Sequence, residues 1–392
     1  MSTSSPSPSL LDRRTFLTRS ASGALAFGFL GRGFSHAAEK AAPPVVTSRW
    51  PLAIVNRCLV STIWSDGRHN GFPGIARVGD HYYVTFRNAE NHVIDNGTAK
   101  IVVIRAPAND LGKWTQVAEF TTDHDTRDPF VFDNRGKVQV VFHDWEDYYS
   151  QSTDGLSWPA ARLLDTEIVL PRPEHKTVLT KTRRWLFRIR RGPDGAFYSL
   201  GRCGLKERGS PGPFGLILYR SEDGVKFKAM HGYGEGPIQA MGDARGTGHE
   251  ADVGWAGDGT FMAAIRNRND GVVVVGPSPL GPYRVLPTGA MNFGGPALHT
   301  TRKGGVLVAG RHRDPVTTLS HSRVATVMPA GVSHPVVIPS GGDCAYQSFA
   351  DGPGDTVLMV YYSSHEMPKQ SSAGRQANIY LAHLNVRHED PK

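Results

Sequence analysis

Cysteine is scarce in the 392-residue sequence: Cys58, Cys203 and Cys344 stand far apart and are odd in number. That excludes a disulfide framework, and none of the three sits at a zinc-binding spacing. Free buried thiols are the expectation, with at most one bridge in an oxidising compartment. The histidines show no metal-ligand spacing and no cofactor motif occurs, so neither a metal nor a cofactor is expected. No long run at helical period is present, which argues against a helical domain. Beyond the N-terminus no segment is apolar enough to cross a bilayer, so no membrane span is expected. The basic residues come without any nucleic-acid-binding motif, which excludes nucleic acid as the expected partner. What abounds is glycine and proline, 44 and 27 residues. That pair points to many short strands joined by tight turns.

The stretch "LDRRTFLTRSASGALAFGFLGRGFSHAAEK" has a basic start, an apolar middle ending near Leu30, and small residues at Ser35 and Ala37 that suit cleavage before Ala38. Arg13 and Arg14 followed by Thr15-Phe16-Leu17 resemble a twin-arginine export signal. The expected division is a signal peptide over 1–37, a linker over 38–50 and one catalytic domain over 51–388, exported to the periplasm or the medium. Removing residues 1–37 takes away four arginines and one aspartate and lowers the formal charge from +8 to about +5. A basic exported protein suits an anionic substrate. The densest basic cluster, "KTRRWLFRIRR" at 181–191, alternates Trp185, Phe187 and Ile189 with Arg184, Arg188 and Arg190, as a strand with one buried face would.

One pattern recurs six times: a strand, a Gly/Asp-type turn, and a second strand ending sixteen positions after the first began. The copies are Gly71 to Arg87, Arg127 to His143, Leu186 to Arg202, Glu250 to Arg266, Gly295 to Arg311 and Tyr346 to Tyr362. Their centres carry turn-forming groups such as Gly79-Asp80, Asp194-Gly195 and Asp258-Gly259. Second halves such as "VQVVF" and "VLMVY" read as β-strands. The copies lie roughly 45 to 65 residues apart, room for one four-stranded unit each, which is the size of a propeller blade. An all-β, six-bladed β-propeller is therefore expected. The last blade is one strand short, and "LAIVNRCLV" at 52–60 is free to complete it, closing the ring.

In such a ring the equivalent ends of all six hairpins meet on one face. The closing ends present Arg87, His143, Arg202, Arg266, Arg311 and Tyr362; the opening ends present Arg127, Glu250 and Tyr346, with Asp128, Asp252 and Asp343 beside them. Four arginines at one register would repel unless something anionic joined them, and guanidinium matches a carboxylate or sulfate in two-point contact. The mouth reads as an anion site with Glu250 fixing its neighbours.

At these residues the sequence resembles the sialidases, over about 64 to 386. "HEADVGWAGDGTFMAAIR" resembles their blade-four glutamate with its following arginine, "VLVAGR" the arginine of blade five, and "CAYQSF" the tyrosine segment of blade six; "STDGLSW" and "SEDGVKF" resemble shortened Asp boxes. The resemblance implies Tyr346 as nucleophile and Glu250 as the base that activates a phenol otherwise neutral near pH 7. It implies Arg266 and Arg311 on the substrate carboxylate. The acid/base would come from "NAENHVIDNG", with Asp95 first and Glu90 and His92 as competitors. One departure stands out: where sialidases open blade one with Arg-Ile-Pro, this chain has Gly71-Phe72-Pro73. Arg87 or Arg202 is the expected substitute for the missing arginine.

The resemblance implies a retaining glycoside hydrolase acting on a terminal acidic sugar, sialic or uronic. A polysaccharide lyase on uronate polymers, with Tyr346, His143 or His249 as base or acid, would use the same arginines. A non-catalytic acidic-sugar-binding propeller is the third reading, because a fold never proves a function.

Overall fold

The computed structural model describes residues 49–94, 99–144, 146–167, 182–205, 214–230, 250–267, 270–367 and 376–390. Among them every regular element is a strand, and no helix is long and apolar enough to cross a membrane. The strand β1 (Leu52–Trp64) is followed by blade 1, made of β2 (His69–Val78), β3 (His81–Ala89), β4 (Lys100–Pro107) and β5 (Thr115–Thr121). Blade 2 holds β6 (Arg127–Asn134), β7 (Lys137–His143), β8 (Asp147–Ser152) and β9 (Arg162–Leu163). In blade 3, β11 (Thr182–Trp185) and β12 (Arg190–Arg191) share the inner place against β13 (Phe197–Leu205). Next come β14 (Phe214–Ser221) and β15 (Lys226–Ala229), with β10 (Asp165–Glu167) added parallel to β15. Blade 4 is β16 (Ala251–Trp255), β17 (Phe261–Ile265), β18 (Val272–Gly276) and β19 (Arg284–Pro287). Blade 5 is β20 (Gly294–Thr300), β21 (Val306–Arg313), β22 (Ser320–Met328) and β23 (Gly331–Ile338). Blade 6 runs β24 (Cys344–Asp351), β25 (Thr356–Ser363), β26 (Asn378–Glu389) and then β1, so the N-terminal strand closes the last blade as expected.

The apolar interior is divided into six clusters, one at each seam between neighbouring blades. A strand turns alternate side chains to opposite faces, and here both faces meet another blade. All five residues of β17 are therefore buried, with no polar alternation. Each Val or Leu sealed into a seam contributes roughly 1.5–3 kcal/mol relative to exposure. Turns between outer strands rest on aspartates: Asp154 accepts from the amides of Leu156 (2.8 Å) and Ser157 (2.7 Å), and Asp223 from those of Val225 and Lys226 (2.8 Å each). These turns set Phe227 into the seam of blades 2 and 3, and Trp158 against that of blades 1 and 2. Gly155 (φ +67°) is obligatory, because a Cβ there would lie 1.9 Å from the Tyr83 hydroxyl oxygen.

Two expectations need correction. Residues 186–189 of the basic cluster are buried on both faces, Arg188 included, because the segment is the innermost part of blade 3 and sits between its neighbours and the ring axis. The sixteen-residue spacing pairs Gly71 with Arg87 and Arg127 with His143, but Arg202 faces Trp185, Arg311 faces Gly294 and Tyr362 faces Ala345, each one residue early. The inner strands of blades 1, 2, 5 and 6 share a bulge, between Gly71 and Gly74, Arg127 and Phe130, Gly294 and Ala297, and Ala345 and Ser348. Pairing changes register across it, as it also does between β11 and β12. At the bulges Phe72, Asp128, Gly295 and Tyr346 take left-handed backbone, φ +58°, +48°, +58° and +55°. A bulge re-aims the side chain at the kink.

Candidate active site

Glu250 and Arg266 flank the β16–β17 hairpin and extend its ladder by one bond, the Arg266 amide donating to the Glu250 carbonyl at 2.9 Å. Two strand ends thus hold an acid and a base side by side. Glu250 is buried, 7% exposed, and its carboxylate spends both oxygens. Oε1 accepts the Arg266 guanidinium and the Tyr346 hydroxyl, the latter at 2.9 Å, and Oε2 accepts the Gly295 amide at 2.5 Å. Burial by itself would raise the Glu250 pKa, but Arg266, the Gly295 amide and Arg311 outweigh it and hold the carboxyl below its ordinary value. Burial and the negative charges of Asp128 and Glu250 push the Tyr346 phenol well above its ordinary value, so it stays protonated and donates to Glu250.

Gly295 explains how tyrosine and glutamate meet. With a Cβ at that position, the Tyr346 amide nitrogen would lie 2.4 Å away. Only glycine lets the blade 5 and blade 6 bulges touch, and the same residue supplies the amide that fixes Glu250. The pocket above is lined by Asp128, Phe187, Arg188, Glu250, Gly295 and Tyr346. Asp128 has a buried Oδ1 with no hydrogen-bond partner among the described residues. Burial pushes its pKa up to about 6, against the opposing pull of Arg127.

The predicted arginines behave differently from one another. Arg266 is shared between Glu250 and Asn292 Oδ1 (3.1 Å). Arg311 lies against Gly294, where a Cβ would come within 2.9 Å of its Nη2; its buried Nε lacks a hydrogen-bond partner among the described residues. Arg87 is fully buried and committed, with Nε (2.8 Å) and Nη2 (2.6 Å) on Asp125 Oδ1 and Nη1 on the Asn91 carbonyl. The arginine that reaches over Phe72 is Arg127, 5.2 Å from the ring centroid, anchored by Asp125 (3.2 Å) and the His92 carbonyl (2.8 Å). Phe72 in turn packs 4.7 Å from the Tyr346 ring, so aromatic surface fills the place where an arginine was missed.

Other predicted residues are not brought to the pocket. His143 is buried, stacked on Trp185 at 4.2 Å and bonded to Asp147 at 3.3 Å. Tyr362 is buried and donates to Asp343 Oδ1 at 2.9 Å. Asp252 is fully buried deeper along the axis, gripped by Arg190 at 3.0 and 2.7 Å and by the Leu298 amide at 2.9 Å. Glu90 is exposed. Asp95, His249 and the side chains of Arg202 and Cys203 lie outside the described residues, whereas Cys58 and Cys344 are free thiols. Sequence reasoning missed Arg188, whose Nε donates to the Pro296 carbonyl at 3.0 Å, and Asp125, the anchor of two arginines. A usable signal existed: Phe72-Pro73, Asp128-Pro129 and Gly295-Pro296 repeat a proline just after the kink. Proline is tolerated there because an inner strand is a sheet edge.

Six blades and a closing N-terminal strand define a six-bladed β-propeller with a sialidase-like fold. Among solved structures, a protein of unknown function from Dyadobacter fermentans matches with a TM-score of 0.63 at 15% identity, over 86% of this chain and 99% of that one. Trypanosoma rangeli sialidase, in complex with the inhibitor DANA, matches with a TM-score of 0.55 at 14% identity, over 81% of this chain but 55% of that longer one. The endosialidase of phage phi92 matches with a TM-score of 0.54 at 8% identity, over 86% of this chain and 70% of that one. No protein-family model and no curated protein matches the sequence.

Proposed function

We propose that this protein is an exported glycoside hydrolase of the sialidase type that removes a terminal acidic sugar with retention of configuration. The observation that carries the reading is the Tyr346 hydroxyl donating to Glu250 Oε1 at 2.9 Å beside Arg266. In this reading Tyr346 Oη attacks the anomeric carbon while its proton passes to Glu250, which is ionised beforehand and needs no rearrangement to accept it. The phenol's raised pKa keeps it neutral until attack. Arg266 and Arg311 take the sugar carboxylate, with Arg127 approaching from blade 2 over Phe72. Proton donation to the leaving group falls to Asp95 in the loop after β3, by the resemblance. Pro73, Pro129 and Phe187 give the pocket an apolar side that an acidic sugar's ring face can pack against.

The test is direct. Purified protein is offered fluorogenic sialosides and uronides, and release of the fluorescent alcohol from one of them is expected. Digests of uronate polymers are followed in the ultraviolet in parallel. Absorbance growth without hydrolysis would replace the hydrolase with a lyase, and calorimetric binding without either would leave a sugar-binding propeller.

A further inference from the structure

Beside the pocket, three metal-ligating side chains from distant parts of the chain converge. His69 opens β2, His92 follows β3, and Asp343 stands just before β24, so the group spans blades 1 and 6. Their ligand atoms all lie within 4.8 Å of one another. His69 Nε2 is 2.9 Å and His92 Nδ1 2.6 Å from the same oxygen, Asp343 Oδ2. Metal–ligand bonds to imidazole and carboxylate are about 2.0–2.2 Å, which sets neighbouring ligand atoms roughly 3 Å apart. The observed edges approach that spacing. The spare oxygen, Oδ1, accepts the buried Tyr362 hydroxyl at 2.9 Å, the kind of outer contact that orients a ligating carboxylate. The Asp343 amide donates to Ser364 Oγ at 2.8 Å, and the His92 carbonyl is held by Arg127 at 2.8 Å, so both backbone segments are fixed.

Exposure also suits an ion. His69 is sealed, Asp343 nearly so, and His92 is 35% exposed, which leaves one side open to solvent for entry and for water ligands. The nearby guanidinium groups of Arg87 and Arg127 are both paired with Asp125, which offsets their repulsion. We propose that His69, His92 and Asp343 form a three-ligand site for a divalent transition-metal ion, Zn²⁺ foremost, that clips blade 1 to blade 6 beside the pocket. Two imidazoles and one carboxylate favour zinc and its late first-row neighbours over Mg²⁺ and Ca²⁺, which take oxygen donors. The clip lies at a seam that backbone pairing already joins, where the Asn70 amide donates to the Ala377 carbonyl at 3.1 Å. It also backs the Phe72 ring, which packs 5.2 Å from His92 on one side and 4.7 Å from Tyr346 on the other.

The experiment needs no substrate, so it stands or falls apart from the hydrolase reading. Tag-free full-length protein is stripped with a chelator and titrated with ZnCl₂ by calorimetry; CoCl₂ gives a visible ligand-field spectrum, and thermal melts are recorded with each ion. One saturable equivalent of Zn²⁺, a raised melting temperature, and no comparable rise with MgCl₂ or CaCl₂ are expected. His92→Gln, at the partly exposed position, should keep the metal-free melting temperature, weaken Zn²⁺ binding by roughly tenfold or more and remove the Co²⁺ bands. Asp343→Asn should do the same to the metal but also loosen Tyr362, which is why His92→Gln is the deciding variant. Absence of saturable binding, or zinc affinity unchanged in both variants, overturns the proposal and leaves the three side chains as a hydrogen-bonded cluster. Equal stabilisation by Mg²⁺ would overturn the choice of ion.

Discussion

Two carboxylates share the pocket and are driven in opposite directions. Arg266 and the Gly295 amide keep Glu250 ionised despite burial, whereas burial raises Asp128 to about 6. Because the folded state holds the Asp128 proton more tightly than the unfolded chain, its contribution to stability is full below about pH 4 and is lost as pH rises through 6. At neutral pH the ionised group costs on the order of 2–3 kcal/mol. Asp128→Asn should therefore raise the melting temperature at pH 7 and change it little at pH 4; an equal change at both would remove the titration from Asp128. Tyr346 and Glu250 call for a different measurement. Tyr346→Phe keeps the ring and the arginines but removes the oxygen proposed to attack, so kcat should fall on the order of 10²–10⁴-fold with KM nearly constant. Glu250→Gln should lose a similar amount, and the double variant little more, since groups acting as one unit are not additive. Turnover that merely follows a drop in melting temperature would mark the pair as structural.

At the level of the strand, the hairpins could be read from the sequence because turn glycines and β-branched runs recur at a fixed spacing. The bulges were not read, and their one sequence mark is the proline after the kink in blades 1, 2 and 5. Their left-handed residues include Phe72, Asp128 and Tyr346, none of which announces such a backbone, and the kink is imposed where neighbouring inner strands approach the axis. The Glu250–Arg266 pairing was legible because both residues belong to one hairpin, and the tyrosine segment because of its resemblance. The Asp125 anchor and the convergence of His69, His92 and Asp343 depend on contacts between blades or loops that no local spacing encodes. Gly295 shows what the bulge demands. Gly295→Ala puts a Cβ into the Tyr346 backbone at a left-handed position, and a loss of about 2 kcal/mol or more is expected, with activity falling further than stability because the backbone that gives way carries the amide bonded to Glu250. Gly79→Ala is the control: its φ is +57° but the space around it is open, so a cost near 1 kcal/mol and unchanged kinetics are expected. Equal effects in the two variants would show that backbone strain alone, and not the contact with Tyr346, matters at Gly295.

For the whole molecule the decisive feature is closure. A six-bladed ring has no free interior edge only if its first and last strands join, and here β1 pairs with β26 from Leu52 opposite Glu389 to Trp64 opposite Ile379. The chain also reaches back past blade 6 into the neighbouring seam. Trp50 is fully buried in the cluster shared by blades 4 and 5, its indole N–H donating to the Val327 carbonyl at 2.8 Å, and the Ala53 carbonyl accepts from Thr326 Oγ1 at 2.5 Å. Trp50 thus locks the closing strand to a blade other than the one it completes. Trp50→Ala removes a large buried ring and leaves the Val327 carbonyl without that donor, so a loss of about 3–5 kcal/mol is expected in urea unfolding monitored by far-ultraviolet circular dichroism. Because Trp50 stands away from Tyr346 and Glu250, kcat measured well below the unfolding midpoint should stay at the parent value. A loss under about 1 kcal/mol, the size typical of an exposed substitution, would mean that the β1–β26 ladder closes the ring without the tryptophan.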